Sequence, residues 1–458
     1  MKKRNVLIAI GILGLCAVGW LTAGSQMTNQ SSLYSAYIDQ ADAWEDRGLY
    51  QRAIGSYNLA LAEQETEEVY LRLNNAYNLR YEEAPGETFD DYMDFLAAAV
   101  AAYPGNQELV DKYVAFCSAE SKYEAIYNCL TRAIANGYDT QEIRAELTSA
   151  RYAFQLRRSE FSGLKQFSDD CYCVKTSSGW NAYSTEDGYL LASSYAYISG
   201  VSEAGLVVVT GNDSRLLDTT GMVYGIFDGE VTDASLFSEN LVAACIGGVY
   251  SYYDEFADKQ FGGFEKASSF QNGKAAVKKD GKWILINAKG EAVSDEFEEI
   301  VLDDAGRFLV NGMFIAKLDG QYGLYNEDLK QLCILDYADI DRLTDDGAIA
   351  VAQNGKWGFV DSDGEVLINF VYDEAKSFSN GLAAVKQGNL WGFIDTAGNL
   401  VIEYQFSDAG YMSANGICPV RTDFLEDCVN SGDGEDTDME KSAETWKLLQ
   451  LIIGIKEN

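Results

Sequence analysis

Two periodicities divide the chain. From residue 33 to about residue 158, alanine, leucine and tyrosine recur every three or four positions, the spacing of one helix face. Gly48, Pro85-Gly86, Pro104-Gly105 and Gly137 interrupt this pattern. It therefore predicts helices of about 12 to 18 residues arranged as hairpins. At Cys171 the pattern changes to short apolar runs separated by Asp/Gly turns, the signature of strands. Ahead of both, Met1-Lys2-Lys3-Arg4 precedes an uncharged, apolar-rich run from Val6 to Ala23. Such a run lies between a signal-peptide core and a membrane-spanning helix in length. The expectation is an uncleaved transmembrane anchor, with Lys2, Lys3 and Arg4 cytoplasmic and the rest of the chain outside the cell membrane. Cleavage near Ala23-Gly24-Ser25, with secretion, is the alternative. Leu15 stands before Cys16 where a lipoprotein would need a small residue.

The strand region repeats itself. Gly381-Leu-Ala-Ala-Val-Lys-Gln-Gly-Asn-Leu-Trp391-Gly-Phe-Ile-Asp395-Thr-Ala-Gly398 follows Gly347-Ala-Ile-Ala-Val-Ala-Gln-Asn-Gly-Lys-Trp357-Gly-Phe-Val-Asp361-Ser-Asp-Gly364. Earlier units centre on Tyr322, Trp283, Tyr250, Ser214 and Trp180. From Trp180 to Trp391 these centres are spaced by 34, 36, 33, 39, 35 and 34 residues. Within a unit, Gly-Leu-Ala-Ala-Val reads as a buried strand. Gly-Asn or Asn-Gly reads as a hairpin turn, and Asp-x-x-Gly as a second turn with glycine at positive φ. A unit of this size cannot bury both of its faces and must stack on its neighbours. These motifs resemble the WG-repeat family, strongly in the last two units and loosely in the first three. An eighth opening strand, Gly416-Ile-Cys-Pro-Val420, has no tryptophan strand directly after it. Seven full units with one orphan strand favour a seven-unit propeller over an open β-solenoid, since rings often complete a blade from both chain ends.

The helical stretch carries a second resemblance. Gly48-Leu-Tyr50-Gln-Arg-Ala53-Ile54-Gly-Ser-Tyr57-Asn-Leu-Ala60 is similar to the second half of a tetratricopeptide repeat, with Tyr37, Ala41 and Trp44 at first-helix positions. A second copy is visible at Tyr70, Leu73, Asn74, Ala76 and Tyr77, with its partner helix, Phe89 to Tyr103, across a Pro85-Gly86 insertion. A degenerate third copy contains Ala125-Ile126. The resemblance implies a concave face that includes Asn75 and suits an extended peptide. The basic residues by which carboxylate-binding members clamp their ligands have no match, so no ligand is implied.

Composition narrows the chemistry. The chain has 458 residues and no histidine, which removes histidine nucleophile activation, histidine bases and histidine-ligated metals. A formal charge of −36 repels nucleic acid and favours cationic partners. The nine cysteines include no CxxC and read as buried free thiols, which outside a cell would argue for a reducing habitat. From Asp423 to Glu440 the chain is acidic, without the ligand register of a calcium loop, and reads as a solvated linker. Ser442 is placed to cap a helix running to about Ile455, with Trp446, Leu448, Leu449 and Leu451 apolar.

The expected architecture is thus multidomain α and β. It comprises an anchor and linker over residues 1–30, helical repeats over 31–160, a β-repeat domain over 171–421, and an acidic linker with a short amphipathic helix over 422–458. The expected function is a membrane-anchored extracytoplasmic scaffold for a protein or peptide, without catalysis. A cell-wall glycan-binding module is the alternative and requires solvent-exposed repeat aromatics. A carboxylate-based hydrolase ranks last, since no Asp/Glu pair is singled out by spacing. No residue is marked as catalytic, cofactor-binding or metal-binding, no cofactor is implied, and the binding residues are left unassigned.

Overall fold

The computed structural model describes residues 26–168, 170–422 and 445–455, with side chains from Ser32 onward. Two compact units divide the chain at Ala150 and Arg151.

Among the described residues the first unit holds seven helices: α1 (Gln26–Glu45), α2 (Tyr50–Glu63), α3 (Glu67–Glu83), α4 (Pro85–Ala102), α5 (Gln107–Ala119), α6 (Tyr123–Ala135) and α7 (Gln141–Arg151). Thr66 and Asn106 cap α3 and α5 by accepting the backbone N–H of Val69 and Leu109. Pro85, expected within an insertion, instead opens α4 at its first position, where its missing N–H has no intrahelical partner to lose. Ala41, Ala53 and Ala60 are fully buried, so α1 and α2 approach closely, and Tyr57 is buried beside them. Seven helices are present; a tetratricopeptide type is not thereby established.

The second unit is a propeller of eight blades, each an antiparallel sheet of three or four strands. Blades 1 to 7 occupy residues 163–189, 197–226, 231–264, 266–287, 299–335, 339–372 and 374–406. Blade 8 combines Asp408–Ala409, Ile417–Thr422 and Thr445–Leu451 with Phe154–Leu156 from the start of the unit. Among the described residues, each junction between neighbouring blades has its own apolar cluster. Two of them close the ring: Leu449 and Leu451 pack with Phe393 and Phe406 of blade 7, and Ile417 and Leu448 pack with Tyr172 and Val174 of blade 1.

Three expectations are corrected here. The ring has eight blades and not seven, because the orphan strand is the second strand of a full blade. Residues expected as a helix after Ser442 form its third strand, Thr445–Leu451. Trp446 faces Arg421 across that pair as Trp391 faces Lys386 in blade 7. Thr422 pairs with Thr445, and the expected acidic linker, 423–444, lies outside the described residues. The transmembrane anchor is the third correction. Among the described residues no helix is long and apolar enough to cross a membrane, and Val6–Ala23 lies outside the described residues. The membrane assignment, and the extracytoplasmic placement built on it, are withdrawn.

The WG motif has a steric cause. In blades 6 and 7 the outer strand bulges where it crosses the central strand, with Trp357 opposite Tyr372 but Phe359 opposite Ile368, and Trp391 opposite Phe406 but Phe393 opposite Ile402. A Cβ at Gly358 or Gly392 would lie 2.6 Å from the carbonyl oxygen of Ile368 or Ile402. Blade 3 exchanges the roles: Ser251 takes the glycine position, and Gly262 stands opposite it on the outer strand. Blade 4 has Ile284 there and keeps three strands. Blade 1 has Asn181, whose side-chain amide bonds Leu191 N and O just beyond a short outer strand, Gly188–Tyr189.

Asp-x-x-Gly positions are turns. Asp361 and Asp395 each accept two backbone N–H groups, from Asp363 and Glu365 and from Ala397 and Asn399. Each turn also seats on the outer strand of the preceding blade: Gly398 on Ile368, Gly364 on Ile334–Leu335, and Gly290 on Phe261.

Cys117, Cys129, Cys173 and Cys418 are buried free thiols. Burial pushes the Cys129 and Cys418 thiols from 9.0 up to about 12. At pH 8 this lowers their thiolate fraction about a thousandfold. Mass-resolved iodoacetamide labelling is therefore expected to leave both unmodified in the folded chain and to modify both in denaturant. Labelling of either at equal rates in the two states would contradict the packing described.

Candidate functional site

The blades converge on an axis that the chain fills itself. Residues 301–312 join the first two strands of blade 5, where the matching segments of blades 4 and 7 span only 268–273 and 376–381. The extra residues form a turn in which Asp303 accepts the N–H groups of Ala305 and Arg307. This turn crosses the axis. Ser269 of blade 4 donates its N–H to Gly306 O at 2.8 Å, and Ala305 is buried against Phe167 and Leu236. Gln271 clamps the return by accepting from Phe308 N and Leu309 N and donating to Leu309 O.

A cavity of about 490 Å³ remains beside this plug. Both arginines of its lining are ion-paired. Arg307 pairs with Asp303 at 2.7 Å and Arg342 with Asp304 at 3.2 Å. Arg342 also stacks on Tyr411 at 3.4 Å, and the Tyr411 hydroxyl donates to Asp341 at 2.7 Å. Burial first, and then Asp341, raise the Tyr411 hydroxyl pKa well above that of a free phenol. Asp341 accepts the Ser377 N–H as well, so one chain of contacts runs from blade 5 through blades 6 and 7 to blade 8. This network holds the ring together across its closing blade.

The repeat aromatics are packing residues. Trp283, Trp391, Tyr250 and Tyr322 are buried, and Trp180 and Trp357 are half-buried. Lysines cover several of the rings: Lys376 and Lys386 lie over Trp391, Lys165 and Lys175 over Trp180, and Lys317 over Tyr322. Asn75, expected on a binding face of the helices, is exposed and donates to Glu45 at 2.5 Å.

Unburied apolar side chains collect instead on the propeller's outer strands. Blade 5 exposes Leu332 and Ile334, and blade 6 exposes Val366, Leu367 and Val371. Blade 2 exposes Val223, Tyr224 and Ile226 on its outermost strand, Val223–Ile226, with Met222 just before it. Here the turn of blade 3 seats on Gly225: a Cβ there would lie 2.3 Å from the carbonyl carbon of Phe256. That contact sets Phe256, 60% exposed, against the face of the strand that carries Gly225, while Ile226 belongs to the other face. The sequence carried two signals of these features that composition and motif reading passed over. One is the 39-residue spacing from Trp283 to Tyr322, which contains the plug. The other is Phe256 at a turn tip where other units carry residues such as Thr220, Lys289, Asp328, Asp363 and Ala397.

A family profile described as "WG containing repeat" matches residues 263–283, 357–391 and 391–423 and supports a WG-repeat protein. No curated protein matches the chain significantly. Many solved structures match, among them three at low similarity. A eukaryotic initiation factor shares 13% identity at a TM-score of 0.41, covering 65% of this chain and 90% of that one. The AfRom2 CNH domain shares 11% at 0.30, covering 54% and 91%. Dihydro-heme d1 dehydrogenase NirN, in complex with DHE, shares 11% at 0.36, covering 66% and 78%. None of these bears on what this chain does.

Proposed function

We propose that this WG-repeat propeller is a scaffold for protein partners and performs no catalysis of its own. The observation that carries the reading is the set of large apolar side chains exposed on the outer strands of blades 2, 5 and 6. Folding gains nothing by leaving Ile226, Ile334 and Leu367 in water, and each stands with one or two further exposed apolar residues on its own outer strand, as association surfaces do. The propeller fold is consistent with this role. The helical unit supplies a second surface. Its tetratricopeptide-like reading is supported by the buried alanines at 41, 53 and 60, and assigns it an extended peptide. A glycan module would need exposed ring faces at the repeat centres, and those rings pack between strands and under lysines.

The test is affinity capture with the purified full chain as bait, followed by reconstitution of each captured protein with purified components. A partner that binds the purified chain at micromolar concentration or tighter is the expected result. Hydrolysis of a polysaccharide or peptide library by the purified chain would refute it, as would failure of every captured protein to bind directly.

A further inference from the structure

We infer that the outer strand of blade 2, with Phe256 of blade 3, is a docking edge for an extended, basic segment of a partner protein, which adds to the sheet as a further strand. The inference rests on the scaffold reading and names one of its surfaces.

Three observations converge. The first is a departure from the chain's own repeat. The residue after each Asp-x-x-Gly turn, or its equivalent, is polar in most units: Asp258, Glu291, Lys330, Glu365 and Asn399. Blade 2 has Met222 there, 62% exposed, and blade 3 alone places a large apolar residue, Phe256, at a turn tip. The same turn has Ala257 at φ +62°, where other units favour glycine. The repeat tolerates polar residues at both positions, so packing within the propeller does not call for Met222 or Phe256. Seating the turn on Gly225 puts Phe256 along the same outer strand that Met222 leads into, so a strand added at this edge would meet Ile226 on one face and Phe256 on the other. Aromatic residues and methionine are the types enriched at protein interfaces.

The second is an open edge. Val223–Ile226 is the outermost strand of its sheet, so one side of its backbone is unpaired within the blade. Exposed apolar edge strands template further strands. Proteins use such edges to recognise extended peptides, with main-chain bonds giving affinity and alternate side chains giving selectivity.

The third is charge. Within the stretch from Arg215 to Lys259, Asp218, Asp228, Glu230, Asp254, Glu255 and Asp258 stand against the two cations at its ends, and Arg215, opposite Ile226, is already held by Asp213 at 2.6 Å. An apolar strip rimmed by carboxylates fits a strand that alternates apolar residues with lysine or arginine. It repels a second copy of this chain, whose net charge is −36.

The experiment uses the full chain and a short fluorescent peptide alternating valine and lysine, read by fluorescence anisotropy. Two control peptides are its glutamate counterpart and the same valine–lysine peptide N-methylated on alternate amides. The variant carries Ile226→Thr with Phe256→Ser, both exposed, and its thermal transition is checked against the parent. The valine–lysine peptide is expected to bind the parent and to bind the variant at least about tenfold more weakly. Both control peptides are expected to lose a similar factor on the parent. Equal binding to parent and variant overturns the site. Equal binding of the glutamate peptide overturns the charge assignment, and equal binding of the N-methylated peptide overturns strand addition. Concentration-dependent self-association that the variant abolishes would give the edge to a second copy and overturn the partner assignment. If the variant retains every reconstituted partner of the parent, this edge fails while the scaffold stands; if the parent has none, both fail.

Discussion

A chain ended after Thr422 is expected to lose the cooperative unfolding of its β-unit. Removing Thr445–Leu451 takes out the third strand of blade 8 and leaves Phe154–Leu156 with no strand to pair. Leu448 and Leu449 are fully buried in the intact ring and Leu451 is 2% exposed. Burying such a side chain stabilises by about 1.5–3 kcal/mol, so three of them approach the roughly 5–15 kcal/mol that holds a whole domain. The loss also uncovers Phe393 and Phe406 on one side and Tyr172 and Val174 on the other. Loss of the near-ultraviolet circular dichroism of the packed aromatics, with the helical far-ultraviolet signal retained, is the expected result, because residues 26–150 have their own cores. A truncated chain with the parent's near-ultraviolet spectrum would refute the closing role of this strand. The milder variant Leu449→Ala is expected to cost about 3–5 kcal/mol by cavity formation.

Gly392→Ala is the second large effect. Its added Cβ would meet Ile402 O at 2.6 Å, Tyr404 N at 3.0 Å and Glu403 C at 3.1 Å, all backbone atoms that cannot rotate away. The outer strand must shift or unpair, at a cost of about 3 kcal/mol. Gly388→Ala in the adjoining hairpin turn is the control. Its φ of +62° disfavours a side chain, but nothing lies within 4 Å of the added atom. That change should cost about 1 kcal/mol, from conformation alone. Urea unfolding of the three proteins separates the cases, and equal midpoints for the two variants would remove the steric account of the WG pair.

The contrast between these glycines shows what a sequence exposes and what it conceals. Gly388 and Gly398 were readable because a turn is a local event, fixed by a few adjacent residues. The glycine after tryptophan was visible as a motif, but its cause lies in residues 402–404, which approach only once the sheet has formed. Blade number failed for a related reason. Residues 423–444 separate Ile417–Thr422 from its partner strand, so the eighth unit lacks the spacing that marked the others. Apolar residues at 446, 448, 449 and 451 suit a helix face as well as a strand, because a short apolar run does not declare its period. Pairing with Ile417–Thr422 decided it. The rim patch was hidden differently: Met222 and Phe256 are unremarkable residues one by one and become informative only when units are aligned and Gly225 joins two blades.

The plug has a consequence for how this repeat array can change over time. Arrays of similar units gain and lose copies by duplication and deletion, and with near-identical junctions a ring could in principle re-close with one unit more or fewer. The 303–307 turn of blade 5 reaches Ser269 of blade 4 and buries Ala305 against Phe167 and Leu236, a span that suits one ring diameter. A smaller ring would collide with the turn, and a larger one would leave Ala305 facing water. One inserted loop therefore converts a variable copy number into a fixed one, and any lineage that kept the loop would be held to eight units.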